Sequence, residues 1–158
     1  MTIAWSVLRG TGSNFSHGEQ ALMEAGTRYV PDLPLCSLVH VLRQCVLMKL
    51  PISLEVGRSG NPQRLSGRID SLQQCSDWLV LRQRNRQQWV PTRHLEGICI
   101  VPPMGVGSSR RYRLQAVDTR GAVQLCLQCQ PGNQRDTAIW SAMMVGLEAS
   151  AELPMSFC

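Results

Sequence analysis

The stretch Arg113–Met144, RLQAVDTRGAVQLCLQCQPGNQRDTAIWSAMM, decides how the rest of the chain is read. Arg111–Val117 and Ala122–Leu127 are two extended runs in which apolar residues recur. Asp118-Thr119-Arg120-Gly121 joins them as a hairpin turn, with Gly121 free to take a positive φ. Gln130-Pro131-Gly132-Asn133 then breaks the strand pattern. Beyond it Ile139, Trp140, Met143, Met144 and Leu147 fall at helical spacing, with Asp136 placed to cap that helix. The segment therefore predicts hairpin followed by helix, with Cys126 and Cys129 at the end of the second strand.

Working towards the N-terminus, more strands precede this hairpin. Ile52–Val56 is extended and is followed by the turn Gly57–Pro62. Arg64–Leu72 carries Leu65, Gly67 and Ile69 on alternate positions, the signature of a half-buried strand. Trp78–Arg82, Gln88–Val90 and Gly97–Val101 complete the set, with Gln83–Gln87 as a polar loop and Pro102-Pro103 as a stop. Before the strands, Leu35, Leu38, Val39, Leu42 and Val46 share one helical face, preceded by Asp32 and Pro34. A further short helix is predicted over residues 16–25, where Ser16 and Glu19 form a capping box. Helices segregated from a run of mostly hairpin-linked strands define an α+β fold, a large antiparallel β-sheet flanked by N- and C-terminal helices. The expected organisation is a ragged segment over 1–15, one domain over 16–148 and a tail over 149–158.

Composition narrows the function classes. A chain of 158 residues with 44% hydrophobic residues is long enough for a single buried core. No apolar run approaches the ~20 residues that cross a bilayer, and no signal-peptide pattern opens the chain, so cytoplasmic residence is expected. The seven cysteines are odd in number, and Cys36, Cys45, Cys75 and Cys99 lie among apolar neighbours. They are expected to be reduced and mostly structural. Lys49 is the only lysine among sixteen Lys and Arg residues, in a chain of net charge +5. The arginines gather as Arg58, Arg64 and Arg68, then Arg82, Arg84 and Arg86, then Arg110, Arg111 and Arg113. The plain reading of such runs is a solvated sheet face; the functional reading is a surface for carboxylate or phosphate.

No phosphate-binding loop, zinc-protease motif or nucleophile elbow is present, and no catalytic residue is assigned. Cys126-Leu-Gln-Cys129 has metal or redox spacing, but in a strand residues i and i+3 point to opposite faces, so no metal site is expected there. His17, His40 and His94 are isolated; His94, at the entry to the Gly97 strand, is retained as a ligand candidate.

Several strings, in order, resemble the haem-utilisation superfamily of the HemS/ChuS haemin-transfer proteins and the single-domain ChuX/HutX carriers. Leu50-Pro51-Ile52 through Val56-Gly57, with Gly60-Asn61, is similar to its first strand and turn. Gly67-Arg68-Ile69, Trp78-Leu79-Val80-Leu81 and Arg93–Val101 follow as in that family. Asp118–Gly121, Pro131-Gly132 and Trp140–Met143 complete the set, so the resemblance covers about Leu35 to Leu147. It implies a large antiparallel sheet with flanking helices, and a haem-binding, haem-trafficking carrier rather than an enzyme. It also places Cys126 where the family keeps a haem-contacting tyrosine, and Cys129 where it keeps an arginine. His17 falls in a different element from the helix that carries the family's proximal histidine. The implied site is thus Cys126, Cys129 or His94 towards iron, a Cys thiolate being an accepted haem ligand. Arg68, Arg82, Arg84, Arg111 and Arg113 would meet the haem propionates. Implied partners are haem, a second copy of the chain or a haem-uptake protein. The alternatives are a diverged paralogue that dimerises without haem and an Sm-like RNA-binding domain. Nucleic acid is not expected as a partner, because only Trp89 and Tyr112 lie near the arginine groups.

Overall fold

A computed structural model describes residues 31–57, 61–103 and 111–151. The elements run α1 (Cys36–Leu47), β1 (Pro51–Val56), β2 (Gln63–Arg68), β3 (Ser71–Cys75), β4 (Trp78–Gln83), β5 (Arg86–Pro91), β6 (Leu95–Val101), β7 (Arg113–Asp118), β8 (Val123–Cys129) and α2 (Gln134–Ala151). The strands form a five-stranded sheet in the order β2-β1-β8-β7-β6 and a three-stranded sheet in the order β3-β4-β5. Every strand pairing is antiparallel. The expected α+β architecture with helices on either side of the strand run is the one found. The helix predicted over 16–25, with His17, lies outside the described residues, as do Arg58 and Arg110.

The hairpin of the opening stretch holds the centre of the large sheet. Gly121 takes φ +77, as the turn requires. The Asp118 carboxylate locks that turn: Oδ1 accepts from the Arg120 and Ala122 amides at 2.8 and 3.0 Å, and Oδ2 accepts from Gln124 Nε2 at 2.9 Å. β8 then pairs on its other side with β1, bringing Leu127 opposite Leu54 and Leu125 opposite Val56.

One core fills the space between the sheets and the helices. The large sheet contributes Ile52, Leu54, Leu114, Ala116, Leu125, Leu127, Ile98 and Ile100 from one face. The small sheet adds Leu79, Leu81 and Val90, and α1 adds Leu38, Val41, Leu42 and Cys45. Trp140 and Met144 of α2 are fully buried in the same cluster. The Trp140 indole donates to the Tyr112 carbonyl at 2.8 Å, so its one polar atom is satisfied inside.

Local structure departs from expectation at identifiable points. Arg64–Leu72 is not one strand: β2 ends at Arg68 and β3 begins at Ser71. Gly67, at φ +112, bends the chain out of the large sheet, and the Asp70 amide donates to the Arg82 carbonyl at 2.8 Å, starting the small one. Asp136 does not cap α2. Asn133 does, its Oδ1 accepting from the Asp136 amide at 2.8 Å, while Asp136 sits buried in the first turn. The Gln83–Gln87 loop is a tight turn at Arg84-Asn85, because β4 and β5 pair up to Gln83 and Arg86. The small Sm-like barrel is absent from the described residues, since β2 and β3 belong to different sheets.

Two cysteine expectations are also corrected. Cys36 is disulfide-bonded; it opens α1, half-buried, outside the core cluster. Cys75 is exposed at the end of β3. Cys45, Cys99, Cys126 and Cys129 are buried and outside any disulfide, as expected of structural thiols.

Candidate functional site

The break at Gly67 builds a cleft where the two sheets meet. The β4–β5 hairpin tip folds back over the end of β2, and two hydrogen bonds hold it there. Gln83 Nε2 donates to the Ser66 carbonyl at 2.7 Å, and the Arg84 amide donates to Asp70 Oδ2 at 2.6 Å. A Cβ on Gly67 would collide with Gln83 Nε2, so glycine serves both the bend and the latch. Arg84 itself takes the left-handed conformation, φ +48, uncommon for a residue with a side chain. The resulting cleft of about 660 Å³ is lined by Pro51, Gly67, Arg68, Asp70, Arg84 and Arg86, with Gln83 and Asn85.

Arg68, Arg84 and Arg86, all exposed, share this lining with one carboxylate, Asp70, which spends an oxygen on the Arg84 amide. The ion pairs among the described residues lie elsewhere, Arg64–Glu55 at 2.9 Å and Arg135–Asp136 at 3.1 Å. Such a cleft suits an oxyanion. Its lining contains no histidine, cysteine, methionine or tyrosine.

The structure separates the other predicted site residues. Cys126 and Cys129 face opposite sides of the large sheet, as strand geometry demands. Cys129 lies opposite Ile52, wholly buried in the core, with Sγ 3.5 Å from the Gln130 carbonyl oxygen and 3.9 Å from that of Asp136. Burial pushes its thiol pKa up; the Arg111 guanidinium opposes this and the Asp136 carboxylate adds to it. Cys126 stands on the other face, in a row across the strands that runs Arg64, Glu55, Cys126, Gln115 and Cys99. Arg113, opposite Gln128, lies on that face one row away. Arg111 precedes β7 and its Nη1 donates to the Cys129 carbonyl at 3.5 Å. Arg82 is exposed on the outer face of the small sheet, opposite Ser71 and Gln87. His94 is exposed in the turn before β6, the strand at the opposite edge of the large sheet from β2.

Arg82, Arg84 and Arg86 therefore do not share one strand face. The chain reverses between them, which brings Arg84 and Arg86 to Arg68. Sequence reasoning found the arginines but missed Asp70, Gln83 and Gly67 as the parts that aim them. The isolated Gly67 within a strand pattern was the available signal, since such a glycine marks a bend or a close approach.

Tested against haem, this donor set fits the carboxylates and not the iron. The guanidinium groups of Arg68, Arg84 and Arg86 are chemically suited to carboxylates. The thiols and the imidazole expected to reach iron lie on other faces and edges. Among the described residues no three His, Cys, Asp or Glu side chains gather as a metal site, and no helix is long and apolar enough to cross a membrane.

Comparison with solved structures gives the same fold. ChuS from E. coli, described as a heme oxygenase, superposes with TM-score 0.64 at 15% identity, over 73% of this chain and 35% of that one. ChuX superposes with TM-score 0.57 at 13% identity, over 78% of this chain and 75% of that one. Apo-PhuS, a heme-binding protein from Pseudomonas aeruginosa, gives 0.61 at 17% identity, over 81% and 37%. The chain thus spans about a third of ChuS and PhuS and three quarters of ChuX. It has the HemS/ChuX-like fold that its sequence resembles. No family model matches the chain, and no curated protein matches it.

Proposed function

We propose that this chain is a cytoplasmic, non-catalytic haem carrier of haem utilisation. The observation that supports this reading best is the shared architecture with ChuX, itself described as a heme-binding protein, over most of both chains. The guanidinium-lined cleft adds chemical support, since haem presents two carboxylates on one edge. In this reading Arg68 and Arg84, joined by Arg86, hold that edge. Of the two thiols, Cys129 is enclosed by the core, and Cys126 is buried on the opposite sheet face; neither lines the cleft. In this reading the chain carries haem intact.

Titrating haemin into the full chain tests this. A Soret shift saturating near one equivalent is expected, weakened at least several-fold in Arg84→Gln/Arg86→Gln. Cys126→Ser changes the band position if the thiolate ligates. No shift at micromolar haemin overturns the proposal.

A second reading, a module that works through protein contacts without haem, is favoured by one observation. Trp78 and Trp89 remain 42% and 49% exposed on the small sheet, in an edge-to-face pair with centroids 6.0 Å apart. Exposed tryptophan is common at interfaces. A concentration-dependent dimer in sedimentation, lost in Trp89→Ser, together with no haemin binding, would favour it.

A further inference from the structure

We propose that the cleft between the sheets is a preformed oxyanion site for a compact ligand with two negatively charged oxygen groups, aimed by the latched β4–β5 hairpin. The haem reading needs only something to meet the propionates; here the geometry goes further.

The latch is the first argument. Gln83 is tied to the Ser66 carbonyl, and Asp70 holds the Arg84 amide at 2.6 Å in a left-handed conformation. A left-handed non-glycine residue is costly and persists where surrounding contacts impose it. Here those contacts fix the origin of the Arg84 side chain over the end of β2. Arg68 projects from the last residue of β2 and Arg86 from the first residue of β5, so all three side chains start from hydrogen-bonded backbone. Little backbone ordering is left for the ligand to impose, which is how preorganisation raises affinity.

Charge is the second argument. Arg68, Arg84 and Arg86 make no ion pair among the described residues, and Asp70 is the one carboxylate in the lining. The cleft therefore keeps a formal excess of two positive charges, which one dianion or two carboxylates would neutralise. The arginine stems and Pro51 also give the cleft apolar surface, so a ligand with an apolar body beside its charged groups can be held there. Two sources share the paired negative charge: the propionate pair of a tetrapyrrole, and a free diphosphate or dicarboxylate.

Amide spectra of the full chain, recorded at fixed ionic strength, test the site. Two probes are titrated separately: inorganic pyrophosphate, and gallium protoporphyrin IX alongside its dimethyl ester. Saturable shifts at Gly67, Asp70, Arg84 and Asn85 are expected with pyrophosphate, with the dissociation constant raised at least tenfold in Arg84→Gln/Arg86→Gln. The rest of the variant's spectrum reports that it is folded, and the wild-type mapping needs no variant. If the porphyrin moves the same amides and its dimethyl ester does not, the propionates are a source. If pyrophosphate alone moves them, the site stands as one for a free anion and the propionates are not its source. If haem binds while these amides stay still with both probes, this inference is overturned and the haem proposal survives. No saturable shift and no haem binding overturns both.

Discussion

At the scale of single residues, much of the stability rests on a few positions with unusual demands. Lys49, the only lysine, ends α1 in the left-handed conformation at φ +53. Its amide donates to the Val46 carbonyl and the Leu50 amide to the Cys45 carbonyl, the double bond of a Schellman cap where glycine is usual. Lys49→Gly should therefore stabilise the fold, by up to about 1 kcal/mol in urea melts. Gly67→Ala should do the reverse, by about 1–3 kcal/mol, since it strains a φ of +112 and displaces Gln83 from Ser66. The buried thiols set a pH limit. Burial pushes Cys45 and Cys99 up to about 12 from an ordinary value of 9, with the neighbouring Cys129 and Asp32 adding to the respective shifts. Both thiols are protonated in either state below pH 9, so their contribution is complete there. Between pH 9 and 12 only the unfolded chain ionises them, and stability falls as pH rises, by up to about 1.4 kcal/mol per pH unit for each thiol. Urea melts across pH 8–11 should show this loss, and Cys45→Ala should flatten part of it.

At the scale of elements, periodicity carried most of the information. The face of Leu38, Val39 and Leu42 in α1, the extended run of β1 and the β7–β8 hairpin all stand as read from the chain. Pattern reading failed where contacts between distant residues override local preference. Arg64–Leu72 alternates without interruption, yet Ile69 turns into the core and Asp70 joins Arg82, so the strand divides between two sheets. A strand pattern reports facing, not which sheet receives it. The α2 start was misplaced by three residues, because Asp and Asn are both good caps and only the fold decides which one stays outside. Asp136 went inside, beside Cys129. Asn133→Ala should accordingly cost about 1 kcal/mol in chemical denaturation through loss of the bond to the Asp136 amide. Trp140→Ala, which empties the largest fully buried side chain, should cost about 3–5 kcal/mol.

At the scale of the whole molecule, the strand pairing explains why only part of the site could be read in advance. Fifteen arginines against one lysine left a solvated face and an anion-binding surface both open, and three of the arginines line one cleft. Their meeting place depends on the chain reversing at Arg84, which no local window encodes, and on the bend at Gly67, which an isolated strand glycine signals. The cysteines were legible in a narrower sense. Strand geometry alone placed Cys126 and Cys129 on opposite faces, but not which of them would be sealed inside. The fold brings Arg68, Arg84 and Arg86 to one cleft and leaves the expected iron ligands on other faces. The proposed carrier would grasp a flat dicarboxylate by its edge and release it unchanged. The most direct test is transfer: the full chain is loaded with one equivalent of haemin, passed through a sizing column and mixed with excess apomyoglobin. The account predicts that haem co-elutes with the chain and then moves quantitatively and intact to the acceptor. A chain that emerges from the column without haem, or one whose haem is degraded rather than handed over, would contradict it.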